Sequence, residues 1–364
     1  MKDKLILFVL AWSLVLSGCS WSTGPYVSVT PHMQQRQNAQ TDVVSASDYL
    51  ELLEALKSII ASGTEVSAIN VAEYPQESID HGMMRAIQYA QENDPIGAYA
   101  VESIQYELGA SSGKPAVSLS IVYRHNRSEL QQIRKIADME AAVREITEAL
   151  EGYRATLVMH VENYSTMDFT QVVQDYAVQY PNVVMETPQV TEGIFGTGSD
   201  RVVELIFTYQ TSRESLRRMQ QEVQPVFSAA ELYVSGDGED VQKFGQLFGF
   251  LMERFDYKLE TSITPAYSLL RHGVGDSRAF ATVYAAMCRS AGLECIIVTG
   301  TRAGEPWTWN MVLDAGRYFH VDLLRCSELG AFRECTDDLM ENYVWDYSGY
   351  PQCNGEQIPE ETAP

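Results

Sequence analysis

Basic residues are scarce in this sequence: 26 Lys and Arg stand against 49 Asp and Glu, for a net charge of −23. Such a surface repels phosphate backbones and anionic headgroups, which excludes nucleic acid as a partner. Long apolar runs are missing beyond Leu16, and no later stretch reaches the roughly 18 apolar residues of a membrane-spanning helix. Cysteines are few, six in all, and no two have the CxxC spacing of a metal site. His81, His125 and His160 are scattered along the chain and read as structural or surface residues. No metal and no cofactor is therefore expected.

What is present begins at the N-terminus. Lys2 and Lys4 precede a run from Leu5 to Leu16 that is apolar apart from Ser13, long enough for a signal-peptide core and too short to span a bilayer. It ends in Leu16-Ser17-Gly18-Cys19, small residues directly before a cysteine. This resembles the lipobox of bacterial lipoproteins. The resemblance implies cleavage after Gly18, a diacylglycerol on the Cys19 sulfur and an extracytoplasmic protein whose bilayer contact is that lipid. Residues 19–44, with Gly24, Pro25, Pro31 and a Gln/Asn-rich stretch, read as a flexible tether.

The middle of the chain reads as an α+β region built from two copies of a β-α-β-β-α unit, 45–150 and 151–235. A helix over Tyr49–Ala61, capped by Ser45 or Ser47, precedes the first strand. The first unit is expected to run strand (66–74), helix (79–92), strand (98–108), strand (115–124) and long helix (128–150). The second runs strand (155–164), helix (167–180), strand (182–194), strand (201–210) and helix (212–226). Alternation is clear in Val117, Leu119, Ile121 and Tyr123, and again in Val203, Leu205, Phe207 and Tyr209. No catalytic cluster falls here, so the units read as spacers or a binding platform.

Residues 236–364 carry ordered motifs. A helix to about Phe255 precedes Ala266-Tyr267-Ser268-Leu269-Leu270 and Gly273. Gly275-Asp276-Ser277-Arg278 then opens a helix that ends before Gly292. A strand through Ile296, Ile297 and Val298, then Trp307-Thr308-Trp309-Asn310 and Tyr318-Phe319-His320-Val321-Asp322, complete the order. This order resembles the bacterial transglutaminase-like domain, which has a papain-like fold. The resemblance implies acyl-transfer chemistry on amides. A cysteine at a helix N-terminus is the nucleophile, a histidine moves the proton and an aspartate holds the histidine's tautomer.

Matched to that pattern, Ser277 stands at the cysteine position, Trp307 at the histidine position and Asp322 at the aspartate position. A serine depends on a base more than a thiol does, and an indole offers only an N–H donor. The expected domain is thus an inactive one, with no intact catalytic set, that binds or scaffolds. Trp309, Tyr318 and Arg278 are expected to line a groove with Trp307, open to a peptide, a glycan or another envelope protein. His320, two residues before Asp322, is the alternative base. An active amidase or protease-like enzyme using Ser277, and a structural envelope spacer, are the competing readings. Of the remaining cysteines, Cys326 and Cys335 are close enough in sequence to pair, and Cys353 could replace either. Cys288 and Cys295 sit among apolar residues and read as core.

Overall fold

The computed structural model describes residues 44–355 except Ser112, Ser235, Glu260 and Thr261; Cys19 and the expected tether up to residue 43 lie outside the described residues. Helix α1 (Tyr49–Ala61) begins at Asp48, whose side chain accepts from the Glu51 N–H; Ser47 donates its N–H and hydroxyl to the Glu51 carboxylate instead of capping. Strand β1 (Val66–Asn70), helix α2 (Ile79–Glu92) and the short helix α3 (Pro95–Ala100) follow, and β2 (Val101–Ser111) and β3 (Lys114–Tyr123) form a hairpin. The strand expected from Ala98 starts only at Val101, because Asp94 caps a helical turn with Pro95 at its first position. These strands make an antiparallel sheet in the order β1-β3-β2. Leu52, Leu56, Ile60, Met83, Ile69 and Leu119 form its buried core against α1 and α2.

The long helix expected over 128–150 does not exist as one element. Asn126 and Glu129 form a capping box on a single turn, α4 (Arg127–Leu130), and the chain then extends as β4 (Arg134–Asp138). Asp138 caps a second helix, α5 (Met139–Glu151). Parallel pairing of β4 with β5 (Thr156–Asn163), and burial of Ile136, outweigh helix propensity there. The second sheet runs β4-β5-β7-β6, with β6 (Gln189–Phe195) and β7 (Arg201–Thr208) antiparallel to one another. Its core packs on α5 and α6 (Phe169–Gln179). The strand expected from Asn182 begins only at Gln189. Before it, the buried Glu186 carboxylate accepts from the Gln210 and Thr211 N–H groups at 2.5 and 3.0 Å and so holds the segment off the sheet.

Helix α7 (Arg213–Tyr233) lies along the C-terminal region. Its Leu216, Val223, Phe227 and Ala230 share one core with Phe244 of α8 (Asp240–Met252) and with Phe280 and Tyr284. Tyr153 and Met185 enter the same core from the second sheet's loops. A short pair, β8 (Asp256–Tyr257) and β9 (Val274–Gly275), flanks α9 (Pro265–His272). Helix α10 (Ser277–Ser290) is buried over nearly its whole length, from Ala279 to Cys288. It packs on an antiparallel sheet ordered β12-β11-β10-β13: β10 (Cys295–Arg302), β11 (Glu305–Asp314), β12 (Arg317–Val321) and β13 (Tyr343–Trp345). Helix α11 (Leu323–Glu328) follows β12.

The five described cysteines are all free thiols, so none of the pairings open to Cys326, Cys335 and Cys353 is formed; Cys326 donates to the Arg333 carbonyl at 3.4 Å.

One acid in this region makes stability depend on pH. The Glu334 Oε1 is buried with no hydrogen-bond partner among the described residues, and burial, reinforced by Asp314, pushes its carboxyl up to about 7. The folded protein therefore keeps a proton that the unfolded chain releases above 4.5. The stability this group contributes is complete below that value and is lost as pH rises through about 7. Thermal unfolding of the wild type should lose ground to Glu334→Gln between about pH 4.5 and 7. Parallel pH profiles for the two proteins would remove Glu334 as the cause.

Candidate functional site

Three elements meet at the N-terminus of α10. Asp276 caps the helix by accepting from the Ala279 N–H at 2.8 Å. Gly275 precedes it at a close approach: a Cβ there would lie 2.9 Å from the Ala279 Cβ and 3.1 Å from Leu269. The next residue, Ser277, is 8% exposed, and its Oγ accepts from the Thr308 N–H of β11 at 3.3 Å. No base lies within hydrogen-bonding distance of that oxygen among the described residues. Asn310, also on β11, holds the strand to the helix through the Ala281 carbonyl at 3.0 Å.

Asp322 follows β12 and caps α11. Its Oδ1 accepts from the Leu324 and Arg325 N–H groups at 3.0 and 3.2 Å. Its Oδ2 accepts from the Trp307 indole at 2.8 Å and from the Tyr343 hydroxyl at 2.6 Å. The Arg302 guanidinium lies 3.7 Å from the same oxygen, bonds Glu328 at 2.7 Å and sits over the Trp307 ring at 5.1 Å. Burial, then the Asp322 carboxylate, raises the Tyr343 phenol, so it stays a donor.

Tyr343 and Arg302 are the site residues that sequence reasoning missed. They arrive through the pairing of β13 with β10. Gly300 permits that pairing, since a Cβ there would lie 2.2 Å from the Val344 carbonyl oxygen. The glycine was visible in the sequence; its partner strand was not.

The space between Ser277 and Asp322, walled by Phe280, Trp309 and Leu324, has no room for a water molecule. Beside it lies an open cleft of about 300 Å³ between Phe255, Tyr257, Phe280 and Trp307, with Ser327 and Glu328 at its rim. Tyr257 is 43% exposed, and its ring centre lies 5.6 Å from that of Trp307.

Residues 228–323, which carry this arrangement up to α11, match the family model of the transglutaminase-like superfamily. This region is a transglutaminase-like domain. Similar solved structures include one of a TGase, at 11% identity over 59% of this chain and 63% of that one, with a TM-score of 0.27. A protein from Cytophaga hutchinsonii assigned as a cysteine protease is 15% identical over 40% of this chain and 65% of its own, with a TM-score of 0.25. One from Parabacteroides distasonis assigned as a protease is 8% identical over 70% and 39%, with a TM-score of 0.24. The chain spans less than two thirds of each of these structures. No curated protein matches the sequence.

Within the transglutaminase-like domain, His320 faces away from Ser277 chemistry. It is fully buried; its Nδ1 accepts from the Trp309 indole at 2.9 Å and its Nε2 meets the Asp337 carboxylate at 2.9 Å. An indole only donates, so Nδ1 is bare and Nε2 carries the proton that Asp337 accepts. Burial lowers the imidazole's proton affinity, against the opposing pull of Asp337. Both nitrogens are thus engaged, and His320 does not act as a base for Ser277. Cys353 completes a trio with His320 and Asp337 whose potential ligand atoms lie within 4.8 Å of one another. Without a cation the trio is held by protons: Nε2 donates to Asp337, and burial with Asp337 pushes the Cys353 thiol up to about 12, so a bound ion would have to displace both.

The expected groove is not one surface. Trp309 is 1% exposed, packed edge-on against Tyr343 and Trp345, and Tyr318 is buried with its hydroxyl on Glu294. Both rings lie in the core of the sheet. Arg278 is exposed and lines a different cleft, of about 580 Å³, with Gln171, Asp175, Thr299 and Tyr350. Of the four residues expected to line a groove, Trp307 alone borders the aromatic cleft.

Proposed function

We propose that this chain is a lipid-anchored protein of the bacterial cell envelope whose transglutaminase-like domain binds or scaffolds and does not transfer acyl groups. The observation that carries this reading is the 2.8 Å bond from the Trp307 indole to Asp322. The indole takes the place from which a base would address residue 277, and it uses the aspartate as its own acceptor. Ser277 is left with a backbone N–H as its partner, and its hydroxyl is closed off from water. A serine without a base is a poor nucleophile.

The aromatic cleft between Tyr257, Phe280 and Trp307 offers a surface for a peptide or glycan segment that is held and not cut. The order β1-β3-β2 in one sheet and β5-β7-β6 in the other, with the same antiparallel senses, supports two related N-terminal units that set the domain apart from the lipid on Cys19. The Leu16-Ser17-Gly18-Cys19 sequence supports the anchor itself.

A single preparation tests the reading. Protein isolated from membranes and treated with a fluorophosphonate probe should yield, by mass spectrometry, an N-terminal peptide beginning at acylated Cys19 and an unmodified Ser277 peptide. Labelling of Ser277 that disappears in Ser277→Ala would establish a live nucleophile and end the binding-only reading. An unacylated N-terminal peptide would end the anchor.

A further inference from the structure

A cleft of about 790 Å³ lies outside the transglutaminase-like domain, between the two N-terminal sheets. Its floor is the start of β5, Thr156 to Val158, and its walls include Tyr99, His125 and Arg154.

The strand edge at that floor is open. The Phe207 N–H donates to the Ala155 carbonyl at 2.8 Å. Alternate residues of an antiparallel strand turn their amides the same way. Ala155, Leu157 and Met159 therefore address β7, and Thr156 and Val158 address the other side. On that side β4 pairs with β5 only from Arg134, opposite Met159. The Thr156 amide and carbonyl thus face the cleft with no strand partner among the described residues.

The charge at the wall is also open. Arg154 is half-buried and makes no ion pair or side-chain hydrogen bond among the described residues, in a chain of net charge −23. The other charges of the cleft are engaged. Arg134 holds Glu145 at 2.6 Å. Glu129 closes the capping box on the Asn126 N–H at 2.7 Å and faces His125 at 3.9 Å. Glu204 takes the Tyr99 hydroxyl at 3.4 Å. Tyr99 and His125 stack at 4.0 Å, 6° from parallel, and give the cleft a flat wall.

A free strand edge is complementary to a polyamide backbone, and a free guanidinium to a carboxylate. We propose that this cleft binds an extended acidic peptide, which adds to the β5 edge in line with β4 and seats a carboxylate on Arg154.

The test uses the full chain in detergent and an immobilised pool of random hexapeptides ending in two acidic residues. The wild type should be retained. Arg154→Gln should bind at least about tenfold more weakly, and so should the wild type on a pool whose terminal acids are replaced by their amides. A pool N-methylated at alternate amides, unable to pair with a strand edge, should retain nothing. Thr156→Pro removes the edge amide and should weaken binding likewise; the N-methylated pool answers the same question if that variant fails to fold. No retention on the acidic pool, retention equal for Arg154→Gln, or retention on the N-methylated pool would each overturn the proposal.

Discussion

Replacing Asp322 by alanine should lower the free energy of unfolding by about 3–5 kcal/mol, read from urea midpoints at constant slope. The carboxylate is 5% exposed and serves four donors at once, with a guanidinium 3.7 Å away. Its removal leaves the Trp307 indole and Tyr343 hydroxyl without an acceptor, uncaps α11 and leaves Arg302 with only its exposed partner Glu328. Each buried donor so stranded costs on the order of 1–3 kcal/mol, and the lost cap about 1 kcal/mol. These terms overlap, so the sum is not additive. Asp322→Asn should cost less, because its single oxygen can still serve the backbone donors or the indole–phenol pair, though not both. A cost below about 1 kcal/mol for the alanine variant would mean that water satisfies these donors.

The double variant Ser277→Cys with Trp307→His should turn residue 277 into a reactive thiol. Iodoacetamide should alkylate it near neutral pH at least about tenfold faster than Ser277→Cys alone. A histidine at 307 can donate to Asp322 as the indole does and still present a second nitrogen to residue 277. The α10 N-terminus favours the thiolate, although the Asp276 cap offsets part of that field. In the single variant the thiol meets only the Thr308 N–H and has no base. The imidazole is also smaller than the indole and opens the closed space toward the aromatic cleft. Ser277→Cys with Trp307→Ala separates this access from ionisation: it opens the space without supplying a base. Equal rates for the histidine and alanine variants, both folded by circular dichroism, would show that position 307 does not address residue 277.

Much of this site was legible in the sequence because local signals agree there. Asp276 marks the start of α10 and Gly292 its end, and the Trp307-Thr308-Trp309-Asn310 and Tyr318-Phe319-His320-Val321 motifs fall on β11 and β12. What escaped was set by distant partners. Trp307 and Trp309 occupy one face of β11 by the two-residue period, yet one borders a cleft and the other is sealed. The difference is position along the sheet: Trp307 pairs with Gly300 near the strand end, while Trp309 pairs with Val298 and is covered by Tyr343 and Trp345. Tyr343 joins Asp322 through a strand pairing that spans more than forty residues of chain, which no local pattern reveals. The break of the 128–150 helix is the opposite case. Asn126, Glu129 and Asp138 are readable caps, and the apolar spacing across them concealed the strand between.

Helix α7 bears on where this protein can be divided. The transglutaminase-like match begins at residue 228, within α7, and the core around α10 includes Leu216 and Val223 from the same helix, ahead of that start. Tyr153 and Met185 reach into that core from farther upstream still. A fragment cut at Gly236 would bare the faces of Phe244, Phe280 and Tyr284 that these side chains cover. The domain is therefore not a detachable cassette, because part of its hydrophobic lining is contributed by the module that precedes it. Any evolutionary shuffling of this region onto another protein would have had to carry α7, and a replacement for Tyr153 and Met185, along with it.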